Sequence, residues 1–226
     1  MLMRDTEIQQ AVTGGKLCIT PFEPGKLQGA SYDLSLGGEA LVSHSDQKIL
    51  LEPNSSTLLH LEPGAFALVL TKELLKFPMD IVGVIGMRSA LARKGLILLA
   101  GMQIDPGFEG HLRFGLYNAS PRRITLDYDY ELCMIEFHKL TGPVSKAIAP
   151  NPDLIRGRIP ESDRDFLNSL ETTSLSDLGK NMQSLTQNVA QLSSEVSALY
   201  RFIVPIGLAI LIAVILGAIK LLLFSK

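Results

Sequence analysis

Two short stretches, R-S-A-L-A-R at Arg88–Arg93 and I-D-P-G-F-E-G at Ile104–Gly110, carry the chemistry of this chain of 226 residues. In the first stretch two guanidinium groups flank a serine, and arginine offers forked donors that match phosphate oxygens. In the second stretch Asp105 stands in a tight turn beside an aromatic ring, where a carboxylate suits a sugar hydroxyl or a water molecule. Each stretch also has an ordinary interpretation: solvated surface arginines for the first, an Asx-turn closing a hairpin for the second.

Short apolar runs bounded by turn residues surround both stretches. The runs are Ala65–Leu70, Ile81–Ile85, Leu96–Leu99, Leu112–Tyr117 and Leu132–Phe137. Runs of this length, rich in Val, Ile, Phe and Tyr and separated by Gly and Pro, favour an antiparallel barrel or sandwich over βαβ units. Helices are expected at Arg4–Val12 and, as a short element, at Arg88–Lys94. Residues 143–165 are rich in proline and charge and are predicted to be a linker.

A heptad pattern follows the linker. Apolar residues recur there at alternating spacings of three and four: Leu175, Leu178, Met182, Leu185, Val189, Leu192, Val196 and Leu199. An unbroken seam of a and d positions predicts a self-associating coiled-coil stalk over residues 166–201. The alternative is one amphipathic helix lying on the parent domain, for which a seam flanked by Ser, Thr, Gln and Asn is too narrow.

The seventeen residues Ile203–Ile219 carry no charge, and Lys220 and a last apolar group, Leu221–Phe224, follow them. A helix over Ile203–Phe224 would be roughly 33 Å long, enough for a hydrocarbon core of about 30 Å. A buried core helix is the alternative, but the chain offers it no comparable apolar partner. We therefore predict a transmembrane helix over residues 202–224. Because the N-terminus has no apolar signal region, we expect a single-pass protein with a C-terminal anchor in the lipid bilayer and a cytoplasmic N-terminal domain.

Composition argues against several classes of function. The net charge of −2 gives no electrostatic reason to expect a nucleic-acid partner. The two cysteines, Cys18 and Cys133, form no spaced framework, which indicates a reducing compartment. The four histidines lie near no C-x-x-C or H-x-E motif, so we expect no zinc site.

Six segments then keep a common order along residues 28–140. They are A-S-Y-D-L-S-L-G (Ala30–Gly37), P-G-A-F-A-L-V-L-T (Pro63–Thr71), Arg88–Arg93, Ile104–Gly110, L-Y-N (Leu116–Asn118) and L-C-M-I-E-F (Leu132–Phe137). Together they resemble the dCTP deaminase branch of the dUTPase superfamily. The resemblance implies a mainly β fold, a dUTPase-like distorted β-barrel over residues 1–142. It also implies a homotrimer with nucleotide sites between subunits, which agrees with the heptad stalk.

The resemblance further implies roles for individual residues. The implied nucleotide-binding residues are Arg88, Ser89, Arg93, Asp105, Phe108 and Tyr117. In the family the stretch that matches Arg88–Arg93 grips the triphosphate, usually with Mg²⁺. The Asp that matches Asp105 contacts the deoxyribose, or activates the attacking water in the dUTPases, so Asp105 is catalytic only if the chain is a hydrolase. The aromatic position of Phe108 lies against the sugar.

Departures from the family pattern affect the expected activity. In these deaminases a Glu ten residues after the Asp activates the water that attacks cytosine, and here that position is Gly115. Glycine has no proton-transfer group. Ala90 replaces a Ser of the phosphate motif, Met134 replaces a Gln, and the family's C-terminal lid is not recognisable from Pro143 onward.

These departures lead to one main prediction and three alternatives. The main prediction is a membrane-anchored homotrimer that binds a deoxynucleoside triphosphate as a sensor or regulator without deaminating it. The first alternative is a dUTPase-type diphosphatase that uses Asp105. The second is a dCTP deaminase that makes dUTP with a displaced carboxylate, for which Glu109 and Glu136 are neighbours that the motif does not place. The third is a purely structural trimer.

Overall fold

The computed structural model describes residues 1–43, 48–169 and 175–224. The chain divides into two compact units, Met1–Ser176 and Asp177–Lys226. We call the first the globular unit, because it contains all the described strands.

The globular unit is built mainly of antiparallel strands. Their bounds are β1 Cys18–Thr20, β2 Tyr32–Val42, β3 Ile49–Leu50, β4 Leu59–Leu61, β5 Phe66–Lys76, β6 Ile81–Met87, β7 Leu96–Leu99, β8 Gln103–Ile104, β9 Glu109–Asn118, β10 Ile124–Leu126 and β11 Glu131–Lys139. Nine of these described strands form one sheet in the order β7-β9-β5-β2-β11-β6-β8, with β1 beside β5 and β3 beside β2; β4 and β10 form a small second sheet. The predicted mainly β fold is confirmed, and all five apolar runs lie in strands except for Ala65, which directly precedes β5.

The described helices are few and mostly short. They are α1 Asp5–Thr13, α2 Ser89–Ala92, α3 Pro152–Ile155, α4 Glu161–Ser169 and α5 Leu175–Phe224, with a 3₁₀ turn at Pro24–Lys26. Two of them, α1 and α2, lie where the sequence predicts helices. Glu7 stabilises the N-terminus of α1. Its carboxylate accepts a hydrogen bond from the Arg4 backbone N–H at 3.1 Å, which satisfies a donor that has no partner within the helix.

The main core lies inside the curled sheet and follows the period-two pattern of the strands. In β6 the residues Ile81, Gly83 and Ile85 are buried while Val82 and Val84 between them are only half-buried. In β4, Leu59 and Leu61 are both buried. Such alternation is what a strand with one face on a core requires.

Residues 143–165 differ from the predicted linker, because this stretch contains α3 and the start of α4 and packs on the sheet. Leu154 and Ile159, together with Leu167 further along α4, are buried against Leu41 and Leu70 in a second core. We call residues 143–169 the docked stretch. Burial of an aliphatic side chain is worth about 1.5–3 kcal/mol, which is sufficient reason for the stretch to dock. The prediction failed because single apolar residues among prolines and charges leave no periodic signal.

α5 runs as one helix over Leu175–Phe224 with Pro205 inside it, and it forms the described part of the second unit, which begins at Asp177. The helical part of the predicted stalk is therefore present from Leu175, whereas residues 170–174 lie outside the described residues. The seam residues from Met182 to Leu199 are 48–70% exposed. No association of the seam with another helix is seen in the described part of the chain, so the coiled coil stays a prediction.

The predicted transmembrane helix over residues 202–224 is not supported. Within the described residues, no helix has the length and apolar character needed to cross a bilayer. Within the predicted span, the side chains at positions 202, 207, 209–210, 213–214 and 217–224 are not among those that the structure describes. The lipid bilayer as a partner therefore has no support here, and the location of the protein in the cell stays a prediction.

Candidate active site

Asp105 stands at a tight β-turn between β8 and β9. The backbone N–H of Phe108 donates to the carbonyl oxygen of Asp105 at 3.2 Å, and Gly107 has a φ of 82° that suits glycine. The turn does not close a hairpin, because β8 pairs with β6 whereas β9 pairs with β5 and β7. The hairpin interpretation of this stretch is therefore wrong.

A cavity of about 380 Å³ opens beside this turn, and we call it the cleft. Its described lining includes Asp105, Phe108, Glu109 and Arg113 on one side and Ile148, Ala149, Asn151 and Leu154 on the other. The second group comes from the stretch predicted to be a linker. Sequence reasoning missed this wall, because nothing in residues 148–154 resembles the family motifs.

The Asp105 carboxylate is held from one side only. Gln103 Nε2 donates to its Oδ1 at 2.8 Å, which leaves Oδ2 without a partner among the described residues. The second carboxylate of the cleft, Glu109, pairs with Lys76 at 3.0 Å on the neighbouring strand β5. The cleft thus brings two carboxylates and the Phe108 ring together, which is a setting for proton transfer beside an apolar surface.

The arginine stretch lines a different cavity. Arg88 lies with Ala90 and Leu91 and with residues 127–131 around a space of about 420 Å³. Its guanidinium pairs with Glu131 and, at 3.5 Å, with Asp33. Among the residues that the structure describes, Arg88 and Asp105 therefore line different cavities.

The remaining predicted site residues differ in surroundings. Ser89 and Arg93 are exposed, and the Arg93 side chain has no ion pair within the described ranges. Phe108 packs against both cores as well as lining the cleft. Tyr117 lies towards the other end of β9 from the Asp105 turn, where it is paired with Phe66 and Ile97.

Gly115 lies beneath an aromatic ring. A Cβ placed on it would stand 2.5 Å from Phe66 Cε2 and 3.2 Å from Leu99 Cβ. Any side chain at this position would have to displace the ring. The position that the family pattern gives to a Glu therefore has neither a proton-transfer group nor the room for one.

A buried ion network lies beside the Arg88 cavity. Lys26 Nζ donates to Ser35 Oγ and Asp129 Oδ1, both at 2.8 Å, and to Glu73 Oε1 at 3.2 Å. Burial raises the pKa of Glu73 above its usual value. Burial by itself would lower the pKa of Lys26, but the hydrogen bond that Lys26 donates to Asp129 and the charge of Glu73 outweigh burial, so the pKa of Lys26 lies above its usual value. This network could not be predicted from the sequence, because the partners of Lys26 lie up to 103 positions away along the chain.

A family model described as dCTP deaminase-like matches residues 2–140. The chain belongs to the dCTP deaminase-like family. This dCTP deaminase-like chain is similar to the dCTP deaminase of Thermococcus kodakarensis. The two sequences are 36% identical over 151 residues, and the match covers 67% of this chain and 91% of the relative. The dUMP-forming dCTP deaminase of Aquifex aeolicus is 27% identical over 168 residues, covering 71% of this chain and 93% of the relative.

The fold of this dCTP deaminase-like chain is also similar to a solved structure. The 2'-deoxycytidine 5'-triphosphate deaminase of Agrobacterium tumefaciens superimposes with a TM-score of 0.51 at 21% identity. The superposition covers 61% of this chain and 48% of that chain. At this identity the likeness concerns the fold alone.

These relatives contradict the main prediction from the sequence, a membrane-anchored nucleotide sensor without catalysis. Proteins named as dCTP deaminases match this chain over most of their own length, so the prediction is wrong. That prediction inferred the loss of deamination mainly from one position, Gly115. The cleft, however, holds two other carboxylates, Asp105 and Glu109.

Proposed function

We propose that this dCTP deaminase-like chain is an enzyme that deaminates dCTP to dUTP in the cleft. The observation that carries the proposal is the cleft itself, where Asp105 and Glu109 flank Phe108 within residues 2–140, the part that matches the family. The names of the relatives support the choice of dCTP as substrate.

The reaction needs a group that moves protons. Water adds to C4 of cytosine, and one proton of the water goes to N3. The C4–N4 bond then breaks, the second proton of the water leaves with N4 as ammonia, and the oxygen stays on C4 as the carbonyl of uracil. A carboxylate in hydrogen-bond reach does this work and typically contributes 10²–10⁴ in rate. We assign the role to Asp105, whose Oδ2 has no partner in the described part of the chain, rather than to Glu109, which is engaged by Lys76.

The triphosphate is assigned to Arg93 of an adjacent copy in a homotrimer. One chain holds the Arg88–Arg93 stretch and the cleft apart, and a site between subunits would join them. Arg93 is exposed, as a residue that meets a ligand at a subunit boundary must be.

Mg²⁺ would reach the site on the triphosphate. The described residues contain no group of three or more His, Cys, Asp and Glu side chains placed to hold a metal ion. This fits an ion held mainly by phosphate oxygens and water, the usual way in which proteins bind Mg²⁺ beside nucleotides. The bound ion would neutralise phosphate charge, and it stays a prediction for this chain.

A second candidate is a dUTPase-type diphosphatase, and Gly115 favours it. In that reaction Asp105 would orient a water molecule towards the phosphate chain, and the products would be a nucleoside monophosphate and pyrophosphate. No acid/base on the strand face of Gly115 is needed for such hydrolysis.

One experiment separates the two reactions. The full chain is incubated with each dNTP and Mg²⁺, and ammonia, pyrophosphate and nucleotides are measured. Ammonia with dUTP supports the deaminase, and pyrophosphate with a monophosphate supports the second candidate. Asp105→Asn should lower either rate by about 10²–10⁴, whereas Asp80→Asn, at a surface pair with Lys16, should not. The absence of every product from every dNTP would refute both.

We also propose that α5 associates with other copies along its seam. The support is the exposure of six consecutive seam positions from Met182 to Leu199, from 48% to 70%. The other positions in this range are polar except for Ala190 and Ala198. Replacing Leu185 and Leu192 together by Asp should reduce the mass of an isolated peptide of residues 170–201 in sedimentation, where the globular unit cannot hold the copies together. Gln187 and Ser194, which lie opposite the seam at the same spacing, provide the control pair of Asp substitutions. Equal masses for both variants would refute the association.

A further inference from the structure

Arg113 supplies the positive charge in the lining of the cleft, and nothing in the family pattern gives it a role. It lies on β9 between the buried residues Leu112 and Phe114, which point into the main core. Its own side chain is 35% exposed and lines the cleft together with Asp105 and Phe108. A ligand that lies in the cleft against the Phe108 ring would therefore meet the Arg113 guanidinium.

Asp163 fixes the direction of this guanidinium. Arg113 Nη1 donates to Asp163 Oδ2, on α4. The stretch that carries α4 is anchored to the sheet, because Leu167 is buried and the Ile159 backbone N–H donates to Glu39 Oε1 at 3.1 Å. A guanidinium has five N–H donors in a rigid fork, so the pair with Asp163 orients the fork and leaves donors for a ligand.

The geometry of the fork selects among the bases. It matches two neighbouring acceptors in one plane. Cytosine presents such a pair in O2 and N3. In uracil and thymine N3 carries a hydrogen and is a donor, which opposes a guanidinium donor. Deamination therefore turns N3 from an acceptor into a donor, and the base no longer offers the guanidinium two neighbouring acceptors.

We infer that Arg113 is a base-specificity residue of the cleft, which donates hydrogen bonds to O2 and N3 of cytosine and is held in position by Asp163. This inference rests on the proposed function. It adds that the cleft prefers the substrate dCTP to the product dUTP, so that the product leaves. Phosphate oxygens offer the same acceptor chemistry to a guanidinium, and the experiment separates the two sources.

The test is binding, measured by calorimetry on the full chain in an Asp105→Asn background that prevents turnover. The ligands are dCTP, dUTP and inorganic tripolyphosphate, each with Mg²⁺. We expect dCTP to bind about 10- to 100-fold tighter than dUTP, the range for one good bidentate contact. Arg113→Gln should bring that ratio close to one and leave tripolyphosphate binding unchanged. Arg122→Gln, an exposed arginine outside the lining of the cleft, is the matched control and should keep the ratio.

Two further variants show whether the fork and its support matter. Arg113→Lys keeps the charge without the fork and should lose most of the dCTP preference. Retained binding of tripolyphosphate by both variants shows that neither is simply misfolded. Asp163→Asn should give an intermediate loss. An unchanged ratio in Arg113→Gln overturns the inference, and so does an equal weakening of all three ligands, which would place Arg113 on phosphate. If no nucleotide binds to any variant or to the wild-type chain, the proposed function fails as well; if the wild-type chain deaminates dCTP and Arg113→Gln keeps the ratio, only this inference fails.

Discussion

The ring of Phe66 lies against the backbone of Gly115, so that a Cβ at Gly115 would stand 2.5 Å from Cε2 and 2.9 Å from Cζ of that ring. The two residues lie on the paired strands β5 and β9. Phe66 also packs against the second core, which includes Leu154 and Ile159. The glycine, the ring and the docked stretch after the sheet therefore form one packing unit beside the cleft.

Gly115→Ala should destabilise the globular unit by about 1–3 kcal/mol, the usual cost of forcing extra atoms into a packed site. Urea unfolding of the variant measures this. Adding Phe66→Leu should recover part of the loss, because the smaller side chain makes room. Gly25→Ala is the control, since a Cβ there would meet nothing within 4 Å. A Gly115→Ala protein as stable as wild type would contradict the packing described.

The buried network makes Lys26 a strong test of electrostatics. Lys26→Met keeps an apolar stem but leaves Glu73, which is fully buried, without its counter-charge. Breaking a buried pair in this way typically costs about 3–5 kcal/mol. Lys16→Met removes an exposed pair with Asp80 and should cost less than about 1 kcal/mol. Both values come from denaturant unfolding, and similar costs for the two variants would show that the network contributes no more than a surface pair.

Much of the fold could be predicted from the sequence because its signals are local. Short apolar runs between turn residues predict strands such as β6 and β7. The D-P-G sequence that begins at Asp105 predicts a turn, in which Gly107 takes the positive φ. Asp105 and Phe108 line one cavity, and their binding of a nucleotide stays a prediction.

The rest depended on contacts between distant positions. Leu154 contacts Leu41 and Leu70 only once the sheet is formed. The composition of the residues around Leu154 therefore indicates a linker and not a packed segment. The ion pairs of Arg88 with Glu131 and Asp33 likewise join positions far apart in the chain, and its binding of a nucleotide stays a prediction. Long-range pairing of this kind has no periodic signature in a single sequence.

The docked stretch should stabilise the globular unit. A chain that ends at residue 150 lacks Leu154, Ile159 and Leu167 and exposes Leu41 and Leu70, whereas a chain that ends at residue 170 keeps this core. We expect the longer chain to unfold at a higher urea concentration and with a larger m-value, because more surface is buried. Single replacements by Ala at Leu154 and Leu167 in the longer chain should each cost about 2–5 kcal/mol. Equal stability of the two chains would mean that the stretch lies on the sheet without contributing to folding.

His111 should make stability depend on pH. Its Nδ1 lies 2.8 Å from the Thr71 carbonyl oxygen, to which it donates, and Gly157 of the docked stretch lies close to its Nε2. Burial lowers the pKa of His111 below its usual 6.5, against a smaller opposing effect of the Thr71 hydrogen bond.

The sign of the effect follows from which state binds the proton. Below pH 6.5 the unfolded chain protonates this histidine while the folded chain resists, so the unfolded state binds more protons and stability falls as pH falls. The loss ends once the pH is below the folded pKa. We expect wild type to lose stability between pH 7.5 and pH 5 relative to His111→Gln, in which a side-chain amide can still donate to Thr71. Taking the difference between the two proteins at each pH removes the contributions of shared groups such as Glu73. A difference that stays constant across this range, measured by urea unfolding, would show that His111 titrates alike in both states.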